Sequence, residues 1–493
     1  MFAAEKGDVS CVDFSVLKSD TRVVLAYVNA KDNSGATALM LATMKGHLSC
    51  AGSLMLRGAD VHATDKHGKT ALMLAVRECR ESCVTFLLSR EAKVDATDSN
   101  GVTALMMAAR RGYVSCLAIL LQNEADIHAM DHDGTTALMY AAKEGHLSSA
   151  EYLVSSGAIV NVQDKDGTSP LMFVSEKGYF KFVQFLVESE ANVAAMDGNH
   201  ATALILAAMG NHLSCLTILF QNKANLNATD KDGTTAPLMV AVTNGHWSCV
   251  NFLVQNGAKV NAKVKDGTTA VMLAASLGYL SFLKFFVQNG AELGAINANG
   301  ATALMLAVRE DHLPCAEFLV LSSSRNSVNA VDKHGKTALM HAAMKGKVSC
   351  VTLLVSSGAN VDAKDNHDTT ALMFAARNGN VICVTILVQS GADLNAKDAN
   401  CTTALMLAAR KDHLSYVKFL VFSNAVVDAT DNDGSTALML AAERGNFSCV
   451  EFLVSSGADV YAVDINGMTA LMLAKRNGHW SCEKFLFAKM WMF

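Results

Sequence analysis

Apolar residues fall in two short runs that return every 33 positions. In Gly134–His146, GTTALMYAAKEGH, Leu138, Met139, Ala141 and Ala142 recur at helical spacing. Thr136 stands where a helix N-cap would supply an oxygen to the orphan amides. Gly145 stands where glycine commonly stops a helix. The second run, as in Ser248–Gly257, places Val250, Phe252, Leu253 and Val254 at near-helical spacing. GAKVNA (Gly257–Ala262) then returns the chain through a loop, and an Asp-x-x-Gly turn opens the next unit. The pattern predicts a short helix, a second helix and a protruding turn, over and over.

The motif D-x-x-G-x-T-A-L-M starts at Asp32, Asp65, Asp98, Asp131, Asp164, Asp197 and Asp230. It continues at Val264, Asn297, Asp332, Asp365, Asp398, Asp431 and Asp464, fourteen starts in all. One extra residue enters near TTAPLM (Thr234–Met239), and two more in the loop LSSSRNS (Leu321–Ser327). Two short helices cannot bury their apolar faces alone, but stacked pairs make a continuous core. The expected architecture is an all-α repeat solenoid: a partial repeat over residues 1–31, then one array over 32–493.

The pattern D-x-x-G-x-T-x-L-x-x-A-A-x-x-G-H followed by G-A-x-V-N-A resembles the ankyrin repeat family, and the resemblance runs from Asp32 to about Lys489. It implies a curved stack of helix pairs with protruding β-turns and a concave groove, used to bind proteins. The departures are systematic. The family writes T-P-L-H where this chain writes T-A-L-M; Pro170 alone is read as retaining the proline. Met replaces the family histidine in thirteen repeats and Ile205 in the other. In the family that histidine ties neighbouring turns by hydrogen bonds. Here the polar tie is expected to be missing, replaced by flexible apolar packing, and the array to be softer. His200, Asp368 and Cys401 replace the turn glycine.

Composition adds limits. Hydrophobic residues make up 51% of 493, which raises a membrane protein as an alternative. No apolar run approaches the roughly 18 residues a span needs; the most apolar region, Ala270–Val287, is broken by Ser276, Gly278, Tyr279, Ser281 and Lys284. MFAAEKGDVS does not read as a signal peptide. The net charge of −5 argues against nucleic acid as a partner. Thirteen cysteines without a secretion signal point to free thiols and an intracellular, cytoplasmic setting.

Candidate chemistry is sparse. Eleven cysteines share one phase near the start of the second helix: Cys11, Cys50, Cys83, Cys116, Cys215, Cys249, Cys315, Cys350, Cys383, Cys449 and Cys482. Equivalent positions one repeat apart are too distant for disulfides. Ser149, Phe182, Phe282 and Tyr416 fill the same phase, so small buried core residues are expected. The Met column and pairs such as Gly145-His146 are read as structural. No Cys-x-x-Cys, phosphate loop or nucleophile elbow occurs. No catalytic residue, cofactor, metal or small-molecule substrate is expected.

Charge at the ends of the first helices carries more. The two-residue helix ends hold fourteen basic and five acidic residues in a chain that is acidic overall. Lys345 to Arg476 contributes seven of the cations with Glu443 as the only acid, and the ends from Met209 to Leu277 carry no charge. Two causes remain open: the helix dipole favours cations there by about 0.3–1 kcal/mol each, and a basic groove would steer acidic partners. The candidate partner-binding residues are Arg77, Arg110, Arg111, Lys143, Lys345, Arg377, Arg410, Lys411, Arg444, Lys475 and Arg476. In the repeat at Asp131 the changing letters are His132, Asp133, Thr135, Lys143 and Glu144.

The function expected is a non-catalytic scaffold or adaptor that binds other proteins, with acidic surfaces among them, through the groove and turn tips. The alternative is the regulatory array of a larger enzyme, a kinase or ubiquitin ligase, whose catalytic part lies elsewhere. Neither end reads as capped. MFAAEKGDVSCV aligns with MFAARNGNVICV from Met373, so Met1 is expected to be internal to a longer product. The apolar FLFAKMWMF is expected either to fold back or to dock.

Overall fold

In a computed structural model of the protein, residues 1–8, 21–229, 237–322 and 325–491 are described. They divide into two compact units, Met1–Ala258 and Lys259–Phe493. Each is an all-α stack of helix pairs. Within each unit the first helices of consecutive repeats pack side by side, and each also packs on the second helix of its own repeat.

The repeat at Asp131 shows why the sequence folds this way. The carboxylate Oδ1 of Asp131 accepts from the Asp133 and Thr135 amides at 2.9 and 2.8 Å, closing the turn. Gly134 sits there at φ 79, a left-handed conformation that costs glycine little. The first helix runs Ala137–Glu144, and Thr136 accepts from the Met139 amide. Gly145 ends it in the left-handed conformation at φ 80, and the second helix runs Leu147–Ser155. Leu138, Met139, Ala141, Ala142, Ala150 and Leu153 are fully or almost fully buried. Each buried leucine contributes about 1.5–3 kcal/mol.

The Met column does more than pack. The sulfur of Met139 accepts from the Thr136 amide while Thr136 accepts from the Met139 amide, a reciprocal cap at 3.5 and 3.4 Å. The same box forms at Met40, Met73, Met106, Met172, Met340, Met373, Met406 and Met439. A thioether is a weak acceptor, yet it satisfies a buried amide that leucine would leave bare.

Nor is the polar tie between repeats lost, as the sequence led us to expect; it is carried by other groups. Adjacent turns join through the main chain: His132 N–H donates to Asn100 O at 3.0 Å, and Lys165 N–H to Asp133 O at 2.9 Å. The histidine of the Gly-His pair ties helix ends. His146 Nε2 lies 3.1 Å from Arg110 O, so that nitrogen is the donor; His212, His246, His312 and His479 repeat the contact. The Asn of G-A-x-V-N ties the hairpins: Asn161 Oδ1 accepts from the Asn192 amide at 2.7 Å and its Nδ2 donates to Glu190 O at 3.1 Å.

Other expectations shift. Pro237 opens a first helix, Pro237–Thr243, as Pro170 opens Pro170–Lys177. The proline is therefore retained twice. The insertion point itself, at 234–236, lies outside the described residues. The segment Leu321–Ser327, read as loop, is partly helical: the second helix extends to Ser322 and a short helix spans Arg325–Val328. His200, Asp368 and Cys401 take the glycine conformation at φ 61, 58 and 57, where a side chain costs about 1–2 kcal/mol. Cys11 lies outside the described residues; the other ten cysteines of its column are buried and free.

Candidate protein-binding surface

Every candidate cation sits at the end of a first helix, as its last residue, one before it, or the C-cap. In that last turn the side chain meets the exposed carbonyls and the negative end of the helix dipole. Consecutive helix ends are within side-chain reach: Arg110 Nε is 3.5 Å from Glu144, and Arg476 is 3.8 Å from Glu443.

In the first unit these cations are largely engaged. Arg77 pairs with Glu78 at 3.0 Å and donates to the Met44 sulfur at 3.3 Å. Arg110 pairs with Glu144 and lies over the Tyr140 ring. Lys143 lies over Phe173 at 5.2 Å, and Lys177 pairs with Glu176. Arg77, Arg110 and Arg111 are brought together on an open cleft of about 830 Å³, shared with Lys69, Asp131 and Tyr140.

Tyr140 fixes part of that cleft. Its hydroxyl donates to Asp131 Oδ2 at 2.7 Å. Burial alone would raise the Asp131 carboxyl, but the Tyr140 hydroxyl and the Thr135 and Asp133 amides outweigh it and hold it below the usual range. Burial and that same carboxylate push the Tyr140 phenol up.

The second unit differs. Lys345, Arg377, Arg410, Lys411, Arg444 and Lys475 form no ion pair or side-chain hydrogen bond, and all are exposed except half-buried Arg410. Arg476 alone of that run lies within ion-pair distance of a carboxylate, that of Glu443. Arg309, earlier in the unit, pairs with Glu310 at 2.9 Å. Arg377 lines a smaller cleft of about 320 Å³ with Lys336, Asp365, His367 and Phe374. His341 occupies the place of Tyr140: its Nε2 donates to Asp332 Oδ2 at 3.0 Å, and its buried Nδ1 has no partner. Burial, reinforced by Lys336 and Arg309, holds the His341 imidazole below the ordinary value against the opposing pull of Asp332.

Sequence reasoning passed over Tyr140, Phe173, His341 and Phe374. All four occupy the x of T-A-L-M-x-A or its variant, usually Leu, and the signal was the aromatic or polar letter within an otherwise aliphatic column.

Among the described residues, no group of three or more His, Cys, Asp or Glu is placed to hold a metal ion. Among them, too, no helix is long and apolar enough to cross a membrane.

Helix pairs stacked behind left-handed glycine stops and Asp-capped turns define a helical repeat protein with exposed helix ends. Sequence models of the ankyrin repeat family match almost the whole length. Ankyrin repeats in three copies match residues 1–98, 91–164, 171–264, 238–330, 320–398 and 405–491; ankyrin repeats in many copies match 383–421. The chain belongs to the ankyrin repeat family. Ankyrin repeats are in general protein–protein interaction modules. No curated protein matches the chain.

Proposed function

We propose that the chain is a non-catalytic protein-interaction scaffold whose second unit takes an acidic segment of a partner protein along the helix-end cations from Lys345 to Arg476. The observation that supports this is that six of those seven cations have no carboxylate within ion-pair distance, although Asp412 and Glu443 adjoin Lys411 and Arg444 in the chain. The dipole explains why cations stand at helix ends, but it acts equally in the first unit, where Glu78, Glu144 and Glu176 offset Arg77, Arg110 and Lys177. Unpaired exposed cations raise the local potential and the encounter rate of an acidic chain, and they break no internal ion pair on binding.

The test is anisotropy of a labelled glutamate-rich peptide with the full chain. Reversal of Arg410, Lys411, Lys475 and Arg476 to Glu should weaken binding at least ~10-fold, about 1.4 kcal/mol, and the wild-type affinity should fall with added salt. Binding that ignores both the reversals and the salt would overturn the proposal.

A further inference from the structure

In four repeats the buried cysteine of the second helix has the same kind of neighbour, the residue just past the first helix of the preceding repeat, in the slot of Gly145. Four repeats put a side chain there at positive φ: Cys79 (54), Asn211 (60), Asp311 (68) and Asp412 (60). Each reaches the cysteine of the next repeat. Cys249 and Cys449 donate to Asn211 Oδ1 and Asp412 Oδ1 at 3.4 Å, and Cys350 to Asp311 Oδ1 at 3.9 Å. In the repeat at Asp65 the acceptor is itself a thiol: Cys116 Sγ donates to Cys79 Sγ at 3.9 Å.

We propose that Cys79 and Cys116 form an oxidisable dithiol, a modification site that takes a hydroperoxide and closes to a disulfide joining two consecutive repeats. A disulfide needs the sulfurs at about 2.05 Å, so they must approach by about 2 Å. Cys79 can supply that movement because it lies outside both helices, after Ala71–Arg77 and before Glu81–Leu88. The two sulfurs differ in access: Cys79 is half-buried, and Cys116 is fully buried at the start of its helix.

That difference orders the chemistry. The Cys79 sulfur attacks the peroxide, the O–O bond breaks, and Cys79 becomes a sulfenic acid as water or an alcohol leaves. The Cys116 sulfur then attacks the Cys79 sulfur, the S–O bond breaks, and the departing hydroxide takes the Cys116 proton as water. Two thiols and one hydrogen peroxide give one disulfide and two waters. Burial and the adjacent Cys79 sulfur push the Cys116 thiol up to about 12, which keeps it protonated and slow toward peroxide and leaves the first step to the more accessible Cys79. The bond would fasten the turn that follows Arg77 to the helix Val114–Gln122 of the next repeat.

The site goes beyond partner binding and is tested without a partner. The full chain is treated with hydrogen peroxide, quenched in acid, alkylated in denaturant and mapped by mass spectrometry. The expected result is a reducible peptide pair linking Cys79 to Cys116, with two of the thirteen cysteines lost to alkylation before the rest. Cys79→Gly, which restores the residue of neighbouring repeats, should fold normally by circular dichroism and form no link. Cys116→Ser should leave a sulfenic acid on Cys79 that dimedone captures. A wild-type protein in which Cys79 carries dimedone with no link to Cys116, or in which another cysteine is oxidised first, overturns the proposal.

Discussion

The two units are built from the same parts and finish their first helices differently. In the first, Arg77, Arg110 and Lys177 each have a carboxylate within ion-pair distance, and Lys143 rests on an aromatic ring. In the second, six cations from Lys345 to Lys475 have no ionic partner. The lesson is that a column of like residues in a repeat sequence does not define one surface. Whether a carboxylate comes within ion-pair distance, as Glu78 and Glu144 do and Glu443 beside Arg444 does not, decides whether a cation is spent inside the molecule or offered to another.

If the units differ only at their helix ends, their scaffolds must answer substitution alike. Met139→Leu in the first unit and Met439→Leu in the second each leave a buried Thr amide without its sulfur acceptor. Each should lower stability by about 1–2 kcal/mol, read by urea denaturation. Unequal losses would show that the units differ in their caps as well as in charge. A smaller pair of effects comes from the turns. His200→Gly in the first unit and Asp368→Gly in the second relieve a left-handed backbone at φ 61 and 58. Each should gain about 1 kcal/mol; the ion pair of Asp368 with Lys364 at 3.6 Å is exposed and offsets little.

The smallest effect sharpens the comparison through pH. His341 in the second unit stands where Tyr140 stands in the first. Its imidazole is held below the ordinary value, so protonation is disfavoured in the fold. The stability it contributes is complete above about pH 6.5 and is lost as pH falls through the depressed folded value. His341→Tyr should remove that acid sensitivity, because the phenol can still donate to Asp332 and does not titrate near neutrality. Tyr140→His should install it in the first unit. Thermal melts from pH 7 to pH 5 decide; parallel curves for His341→Tyr and wild type would contradict the assignment.

Much of the fold was legible because repetition writes each physical rule many times. Thr136 as cap, Gly145 as stop and Leu138 as core follow from one unit and are checked by its neighbours. The ties between repeats were harder, because they join letters in different units: His146 to the Arg110 carbonyl, Asn161 to the Asn192 amide. The Met sulfur was misjudged because composition marks it as apolar, while its acceptor role appears only when the Thr amide is placed. Cys79 was hidden by its phase, four positions ahead of the column it contacts. The cations were legible as a column, but their pairing was not, since Glu144 reaches back a whole repeat to Arg110.

The most direct test reverses two charges at a time in the full chain and measures affinity for one glutamate-rich peptide. The three variants carry the same change in net charge: Arg410→Glu with Lys411→Glu at a helix end of the second unit, Arg110→Glu with Arg111→Glu at a helix end of the first, and Lys418→Glu with Lys484→Glu on second helices. The expected result is at least ~10-fold weaker binding for the first and less than about threefold for the other two. Equal losses in all three would mean that only net charge matters, and an unchanged first variant would remove the second unit's helix ends from the binding surface.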